Sequence, residues 1–268
     1  MTFRKFFLFF LITSNISACR YWSLYEFSDQ FCAYDQHISV SLTRDEKQEL
    51  SQIVFLDPVL PRNVLLRYLN ALPTSSTYAT SSTTQFLGSN TPLPSVRSDS
   101  FYIQRTQVES QPVYDLKLDY HLAGNTPLLS SAVLDGRLST VFKPPLIEPI
   151  LKSICSDDYD LNSKRLDMRF SLSEINRKSL PSMQDFEQLF GKADQSLTNK
   201  TGLIGMNYEF DFIRTFENKD QRYQHRPIKF SFEFSQNKEL LELKILYYKY
   251  DYQLDFQNAK GRLIVTRN

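Results

Sequence analysis

Three cysteines, three histidines and one close-set group of acids are the residues of this 268-residue sequence whose types and spacing invite a chemical reading. Cys19 follows the small residues Ser17 and Ala18, while Cys32 and Cys155 stand far apart. His37, His121 and His225 fall in unrelated contexts, so neither set has the close ligand spacing of a zinc site. Asp158-Tyr159-Asp160-Leu161-Asn162 has the first three ligand spacings of a calcium loop. Its sixth position is Ser163 where the loop needs glycine, and its twelfth is Arg169 where a bidentate glutamate should sit. A solvated acidic turn is the better reading. The chain has no G-x-S-x-G elbow, no Cys-His pair of recognised spacing, no dinucleotide fingerprint and no P-loop. The expectation is a protein that is not an enzyme, with no metal and no cofactor.

The elements that would position any site alternate between two periods. Asn63 to Leu72 places Val64, Leu65, Tyr68, Leu69 and Leu72 on one side of a short helix that Pro73 ends. Thr74 to Pro94, rich in Ser and Thr, reads as a loop or an irregular edge. Val113 to Leu122 alternates as a strand, Leu128 to Phe142 adds another strand or two, and Pro144 to Cys155 has helical spacing. Leu166, Met168, Phe170 and Leu172 alternate with polar residues. Ser182 and Asp185 then form a capping box before a helix stripe of Met183, Phe186, Leu189 and Phe190, which Gly191 stops. Strands follow at 206–212 and 228–234, a long one opens at Leu241 and runs towards Phe256, and Leu263 to Val265 closes the chain. Apolar residues on one face and polar on the other mean antiparallel sheet, half on a core and half in water.

Residues 60–74 and 180–194 both begin Leu-Pro, carry a short apolar helix and leave through a small-residue turn ahead of alternating strands. They read as two repeated units, a match short enough to arise by coincidence. The expected fold class is α+β: antiparallel meanders, each packed with short helices. The first unit is 37–155 with its Ser/Thr-rich loop at 74–94, and the second is 156–268.

The N-terminus has a different character. Arg4 and Lys5 precede an apolar run of seven residues, Phe6 to Ile12, followed by small and polar residues to Ala18. Charge, short apolar core and small-residue exit make a secretory signal over residues 1–18. The run is far shorter than the roughly 20 apolar residues that span a bilayer as a helix. Ile16-Ser17-Ala18-Cys19 resembles the bacterial lipobox, an aliphatic residue and two small ones before an obligatory cysteine. The resemblance implies cleavage between Ala18 and Cys19, a diacylglyceryl group on the Cys19 thiol and acylation of the new amine. Two or three acyl chains hold a protein to a membrane where one does not. Arg20 in place of aspartate resembles the class sorted to the outer membrane, which places the domain in the periplasm. An ordinary signal with a coincidental cysteine is the alternative.

Loss of residues 1–18 removes Arg4 and Lys5 and no acid, so 31 basic residues become 29 against 30 acidic ones. Such balance argues against a nucleic-acid partner, which calls for a clustered basic face. Lipidation would consume Cys19 and leave Cys32 and Cys155 as an even pair in an oxidising compartment, which favours a disulfide over two buried thiols. Such a bridge is worth at most roughly 4–5 kcal/mol on the chain-entropy model. The aromatic segment 19–36 would dock on the body between anchor and domain.

The second unit is similar to small outer-membrane lipoproteins of the SmpA/OmlA type, in which a short helix ending in a Gly-x-x-Asp-like turn leads into a meander. Gly191-Lys192-Ala193-Asp194 occupies that turn, with alanine where the family often has proline. Two functions fit the pattern. One is an envelope interaction or scaffold protein that meets a protein partner by strand addition. The other is a carrier enclosing an apolar ligand, such as a lipid, in a curved sheet.

Overall fold

Alternation of period two decides the architecture far more than the helical stripes do. The computed structural model describes residues 40–44, 50–56, 60–79, 96–106, 112–123, 125–153, 159–161, 165–200, 202–213 and 226–266. In the first half the strands are β1 (Val40–Arg44), β2 (Leu50–Phe55), β3 (Ser75–Ala79), β4 (Val96–Arg105), β5 (Tyr114–Ala123) and β6 (Thr126–Leu134). The second half holds β7 (Tyr159–Leu161), β8 (Arg165–Ser171), β9 (Gln195–Thr198), β10 (Ile204–Phe212) and β11 (Ile228–Phe234). It ends with β12 (Leu240–Tyr247), β13 (Tyr250–Asp255) and β14 (Lys260–Thr266). Three α-helices occur among the described residues: α1 (Arg62–Leu69), α2 (Pro144–Ser153) and α3 (Met183–Phe190).

The fourteen described strands join one sheet in the order β1-β2-β6-β5-β4-β10-β11-β12-β13-β14-β8-β7, with β3 beside β4 and β9 beside β10. The α+β expectation is therefore corrected. The chain is mainly β, a single antiparallel sheet that carries a few short helices. The helices have 8, 10 and 8 residues, too short to be stable alone, and they hold their shape by burying one stripe on the sheet. A second correction concerns the long strand from Leu241. It is a hairpin, β12–β13, that turns at Tyr248 with φ 53°. No Gly, Asn or Pro marks that turn, so the sequence reads straight through it.

The same order of elements occurs twice. Hairpin β1–β2 precedes α1, then β3, then β4-β5-β6, and β2 returns to pair with β6. Hairpin β7–β8 precedes α3, then β9, then β10 onwards, and β8 returns to pair with β14. Registers agree too. Ser75 opens β3 opposite Ser100, and Gln195 opens β9 opposite Asn207. Gln104, four residues past Ser100, faces Asp211, four past Asn207. Equivalent strands thus meet antiparallel at equivalent positions, the geometry of a two-fold contact within one chain. The second half differs by an added hairpin, β12–β13.

One face of the sheet is the core. Under α3, the ring centres of Phe186 and Phe232 lie 4.1 Å apart at a tilt of 41°, and Phe190 meets Phe210 at 5.0 Å and Tyr208 at 5.4 Å. The α3 capping box forms, with the Asp185 amide donating to Ser182 Oγ at 3.3 Å and the Ser182 amide to Asp185 Oδ2 at 2.7 Å. Gly261 of β14 lies directly beneath the Phe170 ring, and a Cβ there would come within 2.1 Å of it. Only glycine leaves room for that ring.

The ladder joining the halves is short: Arg105, Gln104 and Ile103 of β4 face Phe210, Asp211 and Phe212 of β10. Side chains reinforce it. Arg105, 3% exposed, reaches past the ladder to the C-terminal end of α3. There it donates to the carbonyls of Phe190 at 2.8 Å and Lys192 at 2.7 Å, pairs with Asp194, and lies 5.1 Å from the Tyr208 ring centre. Tyr114 of β5 donates to Leu189 O at 2.7 Å, and Tyr208 of β10 to Gly191 O at 3.1 Å. The carbonyls that a helix leaves unpaired at its C-terminus are thus met by side chains, two of them sent from the first half. The reverse also occurs. Tyr247 of β12 donates to Leu69 O at the end of α1, and Thr74 Oγ1 to Ile213 O at 3.2 Å. Each half closes the other's helix.

Candidate functional site: open strand edges and the charges behind them

An edge strand is a row of unpaired amides and carbonyls, and proteins usually shield it with lysine, proline, a bulge or a covering element. Among the described residues, β3 pairs only with β4 and β9 only with β10. They read Ser-Ser-Thr-Tyr-Ala and Gln-Ser-Leu-Thr, with no charge and no proline. Tyr78 is 65% exposed and Leu197 68%, the two most exposed large hydrophobic residues of the described chain. The outer strands of the sheet differ. β1 ends in Arg44 and has α2 against it, and β7 is three residues long with Asp160 at its centre. Among the described residues, shortness alone protects β3 and β9.

Both open edges are fixed from behind by a buried carboxylate. Asp99 of β4, fully buried, receives Arg62 of α1 at 2.5 Å and 3.2 Å and the Ser76 hydroxyl of β3 at 2.7 Å. Arg97 approaches Asp99 at 3.5 Å, bonds the Tyr78 hydroxyl and lies 4.8 Å from the Tyr78 ring centre. Tyr120 of β5 faces the same carboxylate without a well-aligned bond; burial first, and the Asp99 charge second, push its phenol well above the ordinary value. For β9 the anchor is Asp194, the residue just before it. Asp194 binds Arg105 with one oxygen and accepts the Glu209 amide with the other at 2.8 Å.

A third buried acid, Asp167 of β8, lies on the opposite face of the sheet. Arg262 grips it with two bonds of 2.8 Å and 2.6 Å, and Arg165 and Arg169 approach at 3.3 Å and 3.4 Å. Its pKa is held below the usual carboxylate range, chiefly by the Arg262 bonds and against the cost of burial.

Several described hydroxyls donate to a carboxylate, among them Ser76 to Asp99, Ser182 to Asp185 and Ser98 to Asp119. On the outer face, Ser98 donates to Asp119 at 2.5 Å while Lys117 approaches the same carboxylate at 3.1 Å. This is a bonded cross-strand row, Thr77-Ser98-Asp119-Ser131, and Ser98 makes no bond to a histidine or an amine among the described residues. Ser235-Gln236-Asn237-Lys238 has S-x-x-K spacing, yet it is a hairpin turn in which the Lys238 amide donates to Ser235 O at 2.9 Å. A helix would be needed to bring residues three apart onto one face.

Ala18, Cys19, Cys32, Cys155, His37 and His225 lie outside the described residues, as do Asp158 and Asn162. His121 is half-buried in β5, opposite Val96 and Leu128. Asp160 stands in the β7–β8 hairpin opposite Asp167. Among the described residues no group of three His, Cys, Asp or Glu is placed to hold a metal ion, and no helix is long and apolar enough to cross a membrane.

The clusters at Asp99 and Arg105 were not anticipated. A signal existed, since Arg97, Asp99 and Arg105 stand in phase with Phe101 and Ile103 on the core face of β4. A charge at a core-phase position must be paired. Comparison with known proteins gives no match to a family model, to a curated protein or to a solved structure.

A carboxylate whose folded pKa is depressed stabilises the fold above its unfolded value of about 3.9, and that contribution is lost as pH falls through the folded value. Asp167→Asn is therefore expected to lower the urea midpoint at neutral pH. The gap from wild type should close as pH falls to about 3 and below. Denaturation across that range checks this, and a gap independent of pH would contradict it.

Proposed function

We propose that this chain is a lipid-tethered protein of the bacterial envelope, anchored through Cys19, that acts without catalysis by receiving an extended segment of a protein partner along its open strand edges. The single observation that carries the reading is the state of β3 and β9. Both are bonded on one side only among the described residues, both lack the charges and prolines that block pairing, and both expose a large apolar side chain. In strand addition the backbone ladder supplies affinity and alternate side chains supply selectivity. Anchoring by Asp99 and Asp194 holds the edges in the extended form before binding, which lowers the ordering cost of association. The aromatic packing of Phe186 and Phe190 on β10 and β11 fills the space beneath α3 that an enclosed apolar ligand would need.

The anchor and the edges are tested in cells. An alkyne-labelled fatty acid should mark the wild-type chain and leave Cys19→Ala unlabelled. A photo-reactive amino acid at Thr77 or at Ser196 should capture a discrete partner band, and Tyr78→Lys with Leu197→Lys should reduce that yield at least about tenfold, because an edge lysine opposes pairing. Capture that is equal from the outer-face position Lys260, or unchanged in the lysine variants, would remove the edges from the account.

A further inference from the structure

At the end of α3 remote from β9, a groove of 530 Å³ opens between the 3-10 turn Arg177–Ser179 and the β11–β12 turn. Its floor is apolar and firmly packed: Pro181 is buried, Leu240 is 4% and Phe256 3% exposed, and Leu180 completes it. Its rim carries Arg177, Lys178 and Lys238 against the single carboxylate of Glu239. Arg177 is held in place by a bond to Gln257 O. Lys178 and Lys238 are exposed and form no ion pair among the described residues. Cations are thus concentrated here on a chain whose charges otherwise nearly balance. The walls are rigid, since Ser182 and Glu239 bridge the two sides through their backbones.

We propose that this groove binds an acidic segment of a protein partner, with an apolar side chain of that segment seated on the Leu180–Leu240–Phe256 floor. Charge complementarity selects the sign of the ligand and speeds its encounter, and the apolar floor supplies the buried area that holds it. A peptide fits better than a membrane surface. Anionic headgroups form a plane that meets the lysines yet leaves a recessed apolar floor uncovered, whereas a single side chain reaches it. The proposal stands apart from strand addition, which uses β3 and β9 and none of these residues.

The test uses the full-length chain in detergent and a fluorescein-labelled peptide of alternating Glu and Ser with one central Phe, followed by anisotropy. Binding is expected, weakening as salt is raised. It should fall at least about tenfold in the double variant Lys178→Glu with Lys238→Glu, whose side chains are exposed and whose fold is checked by its unfolding midpoint. The same peptide with Ser in place of Phe should bind more weakly. Three results would overturn the proposal: no binding by the wild type, equal binding of the Phe and Ser peptides, or affinity unchanged in the double variant. Anionic phosphatidylglycerol vesicles bound through the two lysines, with the peptide unbound, would also overturn it. Partner capture at Ser196 in the double variant separates the two readings, because strand addition survives loss of this groove.

Discussion

A guanidinium sealed in a protein interior needs acceptors for most of its N–H groups, and the end of a helix supplies some of them. Arg105 uses this arrangement: both its terminal nitrogens are met, while its Nε has no hydrogen-bond partner among the described residues. The unpaired carbonyls at a helix C-terminus carry roughly half a negative charge, and Arg105 takes one of them, Phe190 O, together with the Lys192 carbonyl just past the helix and the Asp194 carboxylate. A buried pair of this kind adds little net stability, because desolvation offsets most of the attraction. Its consequence is conditional. Loss of one partner strands the other charge in the core at about 3–5 kcal/mol, so the first half of the sheet and α3 must be present together. Burial also pushes the Tyr114 phenol above its ordinary value, and that hydroxyl donates to Leu189 one carbonyl away. The short β4–β10 ladder therefore does not bear the junction alone.

From this clasp the edges follow. Asp194 immediately precedes β9, so the bond that joins the halves also sets where the open strand starts. β3 has its own anchor in Asp99, reached from α1 by Arg62. The two halves solve the same problem with different residues. Ser100 and Asn207 are equivalent in register, so Asp99 corresponds to Met206. An ion pair in one half is thus an apolar contact in the other, and the topology survives the exchange. Shape is the repeated quantity and side-chain chemistry is not, which is why the sequence repeat is faint.

Legibility in the sequence divides along the same line. Strands with clean alternation, such as Met206-Tyr208-Phe210-Phe212 and Ile228-Phe230-Phe232-Phe234, are read correctly from period alone. α3 is legible to within a residue because its capping box and Gly191 mark both ends. β4 is hidden, since three of its five core-facing positions are charged and cancel the period. β3 is hidden for another reason, as an exposed strand of Ser and Thr has no apolar face to show. The fold class fails because helix stripes are conspicuous and carry little of the chain, while the pairing of β4 with β10 is long-range and leaves no local mark. The open edges, where the candidate site lies, share that invisibility.

The central claim is that Arg105 makes the two halves one cooperative sheet. Native-state hydrogen exchange on wild type and Arg105→Ala tests it most directly. The account predicts that amides of β5 and β6 and those of β10 and β11 lose protection together, by the same free energy of about 3–5 kcal/mol. Loss confined to α3 and β9, with β5 and β6 as protected as before, would show that each half stands alone and would contradict the account.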